Sequence, residues 1–170
     1  MTKHPRTTVL VALVAALIVA GLAGQAVADR SGRMMKARLI GYDEVPSVSS
    51  TGRGQLLARF NADESALDYT LSYQNLEGTT TAAAHIHLGQ PGVNGGVSAF
   101  LCGGGGKPAC PPVSGSVSGT IVAADVVGPA SQGIAAGELA ELIAAMRHGA
   151  TYANVHTDKH PAGEIRGQIK

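Results

Sequence analysis

The 170-residue chain has no tryptophan and only two phenylalanines, so its core must be built from Leu, Ile, Val, Ala and Tyr. It has no basic tract, which argues against a nucleic-acid partner. Beyond the N-terminus no apolar stretch approaches the roughly 20 residues that a membrane helix needs. No Gly-Lys-Ser/Thr phosphate loop and no nucleophile elbow are present, so nucleotide and triad-hydrolase chemistry lack their parts. The Gly103 to Gly106 run is a linker-like loop, not a nucleotide fingerprint.

Cysteine is scarce too. Cys102 and Cys110 are the only two, and they flank that glycine-rich loop. In an exported chain the simplest reading is a disulfide, worth about 2.5 kcal/mol on the chain-entropy model. The alternative is thiolate metal ligation, which oxidation outside the cytoplasm would remove.

Export is read from the first residues. Lys3 and Arg6 precede an uncharged apolar run from Val9 to Gly24, then Ala26-Val27-Ala28 and the charged Asp29-Arg30. This is the pattern of a signal peptide over residues 1–28 with an A-x-A cut before Asp29. An uncleaved N-terminal anchor is the alternative. Without residues 1–28 the chain carries 11 Lys and Arg against 12 Asp and Glu. The mature chain then comprises a short lead, 29–34, and one domain, 35–170, of a size that can hold its own core. The expected location is exported, periplasmic or extracellular, with no membrane span after signal removal.

Within the domain, alternation of apolar and polar residues predicts strands. Met35 to Ile40 is one, Gly54 to Phe60 a second, and Leu67, Tyr69, Leu71 and Tyr73 share one face of a third. Thr79 to Leu88, Val97 to Leu101 and Ser116 to Val122 come next, and two runs close the chain. Asp43 and Glu44 read as a solvated turn. Only Leu139, Leu142, Ile143 and Met146 fall at helical spacing, with Gly149 as a stop, which predicts a single short helix near 137–147. The fold class is mainly β: an antiparallel sandwich or flattened barrel with one helix.

Four of the six histidines lie in two short segments. In Ala84-His85-Ile86-His87 the period of two puts both imidazoles on one strand face. In Tyr152-Ala153-Asn154-Val155-His156 the third imidazole shares a face with Tyr152 and Asn154. His160 lies on the turn before Pro161. If the strands are neighbours, His85, His87 and His156 converge, with His160 as a fourth metal ligand. Imidazole sets suit copper, with zinc as the alternative, at bonds of about 2.0 to 2.1 Å for zinc. His148, at the expected helix end, suits the helix dipole. Glu164 and Arg166 share a face of the last strand, as a cross-strand ion pair would.

The succession Leu39-Ile40-Gly41-Tyr42-Asp43-Glu44-Val45-Pro46, Leu71-Ser72-Tyr73-Gln74-Asn75-Leu76, Thr81 to Gly89 and Tyr152 to Ile169 closely resembles the CHRD domain, named after its repeats in chordin. The resemblance implies a secreted β-rich binding module. A fainter one is to copper-zinc superoxide dismutases, which hold copper through a His-x-His strand and a later Val-His. It implies His85, His87 and His156 as copper ligands and Arg166 as an anion-guiding residue. The bridging histidine and the zinc group have no counterparts here.

Three functions are expected on these grounds. The first is a CHRD binding module that holds a transition metal, copper favoured, without catalytic residues. The second is a metal-independent module whose partner is an envelope or extracellular protein. The third is a superoxide dismutase-like copper enzyme.

Overall fold

The structure, a computed structural model, describes residues 34–170. The expected signal peptide, its cleavage position and the lead as far as residue 33 lie outside the described residues. The elements run β1 (Met34–Ile40), β2 (Arg53–Phe60), β3 (Ala66–Gln74), β4 (Thr81–Leu88), β5 (Val97–Cys102), β6 (Gly115–Val122), α1 (Leu139–Arg147), β7 (Thr151–Thr157) and β8 (Ile165–Gln168). Three single 3-10 turns fall at Gly41–Asp43, Ala123–Asp125 and Ala130–Gln132.

All eight strands join one sheet in the order β5-β4-β7-β8-β1-β2-β3-β6, and every pair is antiparallel. The sheet curls into a nearly closed barrel, because each strand has one apolar face to bury. Met35, Ala37 and Leu39 alternate inward on β1, as do Leu56, Ala58 and Phe60 on β2. Leu67, Tyr69, Leu71 and Tyr73 do so on β3, and Ala84 and Ile86 on β4. The helical stripe Leu139, Leu142, Ile143 and Met146 joins the same core. Tyrosine supplies bulk where tryptophan is absent, and its hydroxyl needs a partner when buried. Tyr69 donates to the Leu101 carbonyl at 2.6 Å and Tyr73 to the Pro111 carbonyl at 2.6 Å.

The two edges, β5 and β6, do not pair with each other along the ladder. An open edge leaves backbone groups unpaired, and several side contacts satisfy them. Tyr69 takes the Leu101 carbonyl of β5, and Val127 N–H donates to the Ser98 carbonyl at 2.9 Å. Lys107, on the loop between β5 and β6, donates to the Thr120 carbonyl of β6 at 2.7 Å. That loop is closed by the Cys102–Cys110 disulfide expected from the sequence.

The predicted helix is α1, and its end is capped as expected. Gly149 turns left-handed at φ 65°, and His148 Nδ1 donates to the Ala144 carbonyl at 2.8 Å. No helix among the described residues is long and apolar enough to cross a membrane.

Two expectations are corrected. Glu44 is not on a solvated turn: the chain from Gly41 to Gly52 folds back over the outer face of the sheet, and Glu44 is 6 % exposed. Glu164 and Arg166 do not pair with each other. Glu164 accepts from Ser50 Oγ at 2.6 Å, Glu77 N–H at 2.8 Å and Thr157 Oγ1 at 2.7 Å, while Arg166 is held by the loop before β5.

Candidate metal centre

The pairing of β4 with β7 decides the geometry. His85 lies opposite Asn154, His87 opposite Tyr152 and Ala83 opposite His156. Since Ala84 and Ile86 point into the core, His85 and His87 point out. His156 stands on the same outer face, diagonal to His85, within reach of a long side chain. On the other side of β4, β5 shifts register on either side of His85 and Ile86. Such bulges bend a strand locally and re-aim its side chains.

Three imidazoles therefore converge. Each of His85, His87 and His156 offers a ring nitrogen within 4.8 Å of the others. His85 Nδ1 and His156 Nε2 are 3.1 Å apart. Two nitrogens on one ion cannot be more than about 4.2 Å apart, twice the bond length, so the rings must draw closer by some tenths of an ångström to share one centre.

The far side of two rings is fixed by backbone. His156 Nδ1 lies 3.0 Å from the Pro161 carbonyl, and His87 Nδ1 lies 3.0 Å from the Gly95 carbonyl. A carbonyl only accepts, so both Nδ1 atoms carry the proton and both Nε2 atoms present lone pairs. This is how metal-ligating histidines are oriented: one ring nitrogen donates to an outer partner and leaves the other free. His87 Nε2 is buried and has no hydrogen-bond partner.

The surroundings also favour the neutral form of the rings. Burial, reinforced by the neighbouring imidazoles, pulls His85 down to about 3. Burial pulls His87 down to about 4 against the opposing pull of its Gly95 hydrogen bond. Burial lowers His156 as well, again against a backbone hydrogen bond, to Pro161. Neutral imidazole is the form that binds a metal.

Aromatic neighbours wall the rings. Phe100 of β5 meets His85 edge-on at 4.6 Å between centroids, and Tyr152 stacks on His87 at 4.7 Å, nearly parallel. The Arg166 guanidinium lies over the Tyr152 ring, 3.4 Å from its centroid. With β7 between β8 and β4, Tyr152 separates Arg166 from His87. Arg166 is 2 % exposed, donates to Asn94 Oδ1 at 2.9 Å and also donates to the Val93 carbonyl. The residue expected to guide anions thus lies buried behind Tyr152.

His160, the expected fourth ligand, is not brought to the cluster. Its Nε2 lies 3.9 Å from the Glu77 carboxylate, and its backbone carbonyl accepts from Gly163 N–H.

Sequence reading missed the frame around the rings. Asn154 donates to Glu44 Oε1 at 2.6 Å, across 110 positions, and Asn94 donates to the Val45 carbonyl at 3.0 Å. The one available signal was the alternation that puts Tyr152 and Asn154 on the face of His156. Nothing local announced Glu44 or Asn94, since both lie in turn-like sequence.

Chemically, the set is three neutral nitrogen donors with no carboxylate among them. That composition fits copper or zinc and does not fit calcium or magnesium, which take oxygen. His87 is 8 % exposed, while His85 and His156 are half-buried, so solvent meets the cluster at those two rings.

No curated protein matches the chain in sequence. The profile of the CHRD domain matches residues 35–169, a span that contains every strand but the first residue of β1, the helix and all three clustered histidines. The chain belongs to the CHRD domain family.

Proposed function

We propose that this protein is an exported CHRD module that binds one transition-metal ion, copper in preference to zinc, through His85, His87 and His156. The observation that carries the reading is the orientation of the rings: two outer nitrogens are tied to backbone carbonyls, and the inner nitrogens face one another. Copper is preferred because the Irving-Williams order peaks there for nitrogen donors. Storage or delivery of the ion requires nothing more than these ligands, and no reacting residue is assigned.

Calorimetric titration of the purified protein with Cu(II) and Zn(II) tests the reading. One equivalent of copper is expected to bind at least roughly tenfold more tightly than zinc, and His85→Ala/His87→Ala is expected to abolish the site. His160→Ala should leave it unchanged. Non-stoichiometric binding that the double variant retains would overturn it. Export is tested separately, by N-terminal sequencing of the mature protein, which should begin at Asp29.

One observation favours a metal-independent role instead. His85 and His156 are close enough to hydrogen-bond each other at 3.1 Å, so the cluster also serves as a fastening between β4 and β7. On that reading the double variant loses stability and no metal response changes.

A further inference from the structure

Residues 34–170 hold nine Lys and Arg against eleven Asp and Glu, so the domain as a whole is slightly acidic. Its cations are nonetheless sorted. Lys107 pairs with Asp125 at 2.9 Å, Lys159 with Glu77 at 2.7 Å, and Arg147 with Glu64. Arg166 is buried. The other five, Lys36, Arg38, Arg53, Arg59 and Lys170, are exposed and form no ion pair among the described residues.

These five share one surface. On β1, Lys36 and Arg38 point outward between the inward Met35, Ala37 and Leu39. On β2, Arg53, Gln55, Leu57 and Arg59 point outward between Leu56, Ala58 and Phe60. Register places Lys36 opposite Leu57 and Arg38 opposite Gln55, so Arg59 and Arg53 sit on the diagonals. Lys170 is fastened beside Lys36 by two backbone hydrogen bonds of 2.8 and 2.9 Å. Cations two residues apart on a strand are separated by about 7 Å, and the row from Arg53 to Arg59 is about 20 Å long.

The surface is grooved. A hollow of about 460 Å³ lies among Lys36, Arg38, Gln55, Gln168 and Lys170, with Asp43 on its wall. A second of about 400 Å³ shares Arg38 and Gln55 and continues to Arg53, Ser72 and Gln74. A third of about 300 Å³ lies by Arg59, Leu57, Thr70 and Asp68. Two side-chain carboxylates, Asp43 and Asp68, therefore face five cationic side chains, and Asp68 already accepts from Thr120 Oγ1 at 2.7 Å.

We propose that the outer face of β1 and β2 binds a linear acidic polysaccharide, one whose sugars bear carboxylate or sulfate groups. Periodic anions along a chain match periodic cations along two strands; Gln55 lies among the cations, and Ser72 and Gln74 of β3 flank Arg53 on the side away from β1, so that their amides and hydroxyl are at hand for sugar hydroxyls. Single-stranded nucleic acid is a poorer match because stacking needs a row of exposed aromatics; Tyr69 and Tyr73 point into the core, and only Tyr42 is exposed, in the hollow beyond Gln168 and Lys170. An anionic bilayer is a poorer match because the strands of this face offer only Met34 and Leu57 as large exposed apolar side chains, with Tyr42 apart from them beyond Lys170. The face carries no histidine, so polysaccharide binding there is independent of the metal centre.

The test is retention of the purified protein on polygalacturonate and on heparin, with dextran as the neutral control, at about 50 and about 200 mM salt, since binding through exposed charges is screened by added salt. Binding to at least one acidic polymer, weakened by salt, is expected. Arg38→Gln/Arg53→Gln should weaken it by roughly tenfold or more, Arg38→Lys/Arg53→Lys should restore most of it, and Lys159→Gln should not affect it. Absence of binding to both polymers, or binding that the Gln variant retains, would overturn the proposal. So would equal competition by single-stranded DNA or by phosphatidylserine vesicles at matched charge.

Discussion

Gly163 shows how tightly the frame of the candidate centre is set. Its φ is 130°, and a Cβ there would lie 2.5 Å from Asn154 Nδ2 and 2.7 Å from Glu44 Oε1. Gly163→Ala is therefore expected to cost about 2 to 4 kcal/mol, because backbone strain and a buried clash add. Gly133 supplies the control, with φ 98° and nothing within 4 Å of its would-be Cβ; Gly133→Ala should cost only about 1 kcal/mol. Urea unfolding of the two variants measures the difference. Glu44 makes a pH-dependent prediction. Burial, opposed by Arg166 and by the Asn154 hydrogen bond, raises its carboxyl from 4.5 to about 7. Between those values the folded state holds a proton that the unfolded state has lost. Its contribution is thus fully present below pH 4.5 and is lost as pH rises through 7. Glu44→Gln should flatten that limb and stabilise the protein at pH 8 by about 1 to 3 kcal/mol relative to its effect at pH 4. Thermal unfolding at the two values checks it, and equal shifts at both would contradict a buried neutral carboxyl.

Elements were far easier to read than their neighbours. The period of two in Leu67, Tyr69, Leu71 and Tyr73, and the i, i+3, i+4, i+7 spacing of Leu139, Leu142, Ile143 and Met146, are local signals, and β3 and α1 obey them. The same period put His85, His87 and His156 each on an outer face. Which strand lies beside which is not local: β7 inserts between β4 and β8 although 62 residues separate Leu88 from Thr151. Only the closing segment's own histidine hinted at it. Loops were the least legible, because Glu44 and Glu164 find partners more than a hundred positions away, Asn154 and Ser50 respectively. The Cys102–Cys110 loop bridges elements as well. It carries Lys107 across the open seam to Thr120, and its Gly104 and Gly105 lie against Phe100, which in turn abuts His85. Cys102→Ser/Cys110→Ser is expected to cost about 2.5 kcal/mol, read by urea unfolding against the oxidised parent.

At the scale of the whole molecule the barrel separates two outer surfaces, imidazoles on β4 and β7 and cations on β1 and β2, over one apolar interior. The buried imidazoles give the metal-free protein a second pH limb. His85 and His87 are held near 3 and 4 when folded, against 6.5 for a free ring. The unfolded chain therefore takes up protons first, and stability falls as pH drops below 6.5 toward those values. His87→Phe should shallow that limb between pH 6.5 and 4 in acid titrations of the metal-free protein. Nitrogen hyperfine structure in the Cu(II) EPR spectrum of protein loaded with one equivalent of copper reads the ligand set itself. Coupling to three imidazole nitrogens is expected, reduced by His156→Ala and untouched by His160→Ala. A spectrum of aqueous or oxygen-ligated copper, or one that His156→Ala leaves unchanged, would contradict it.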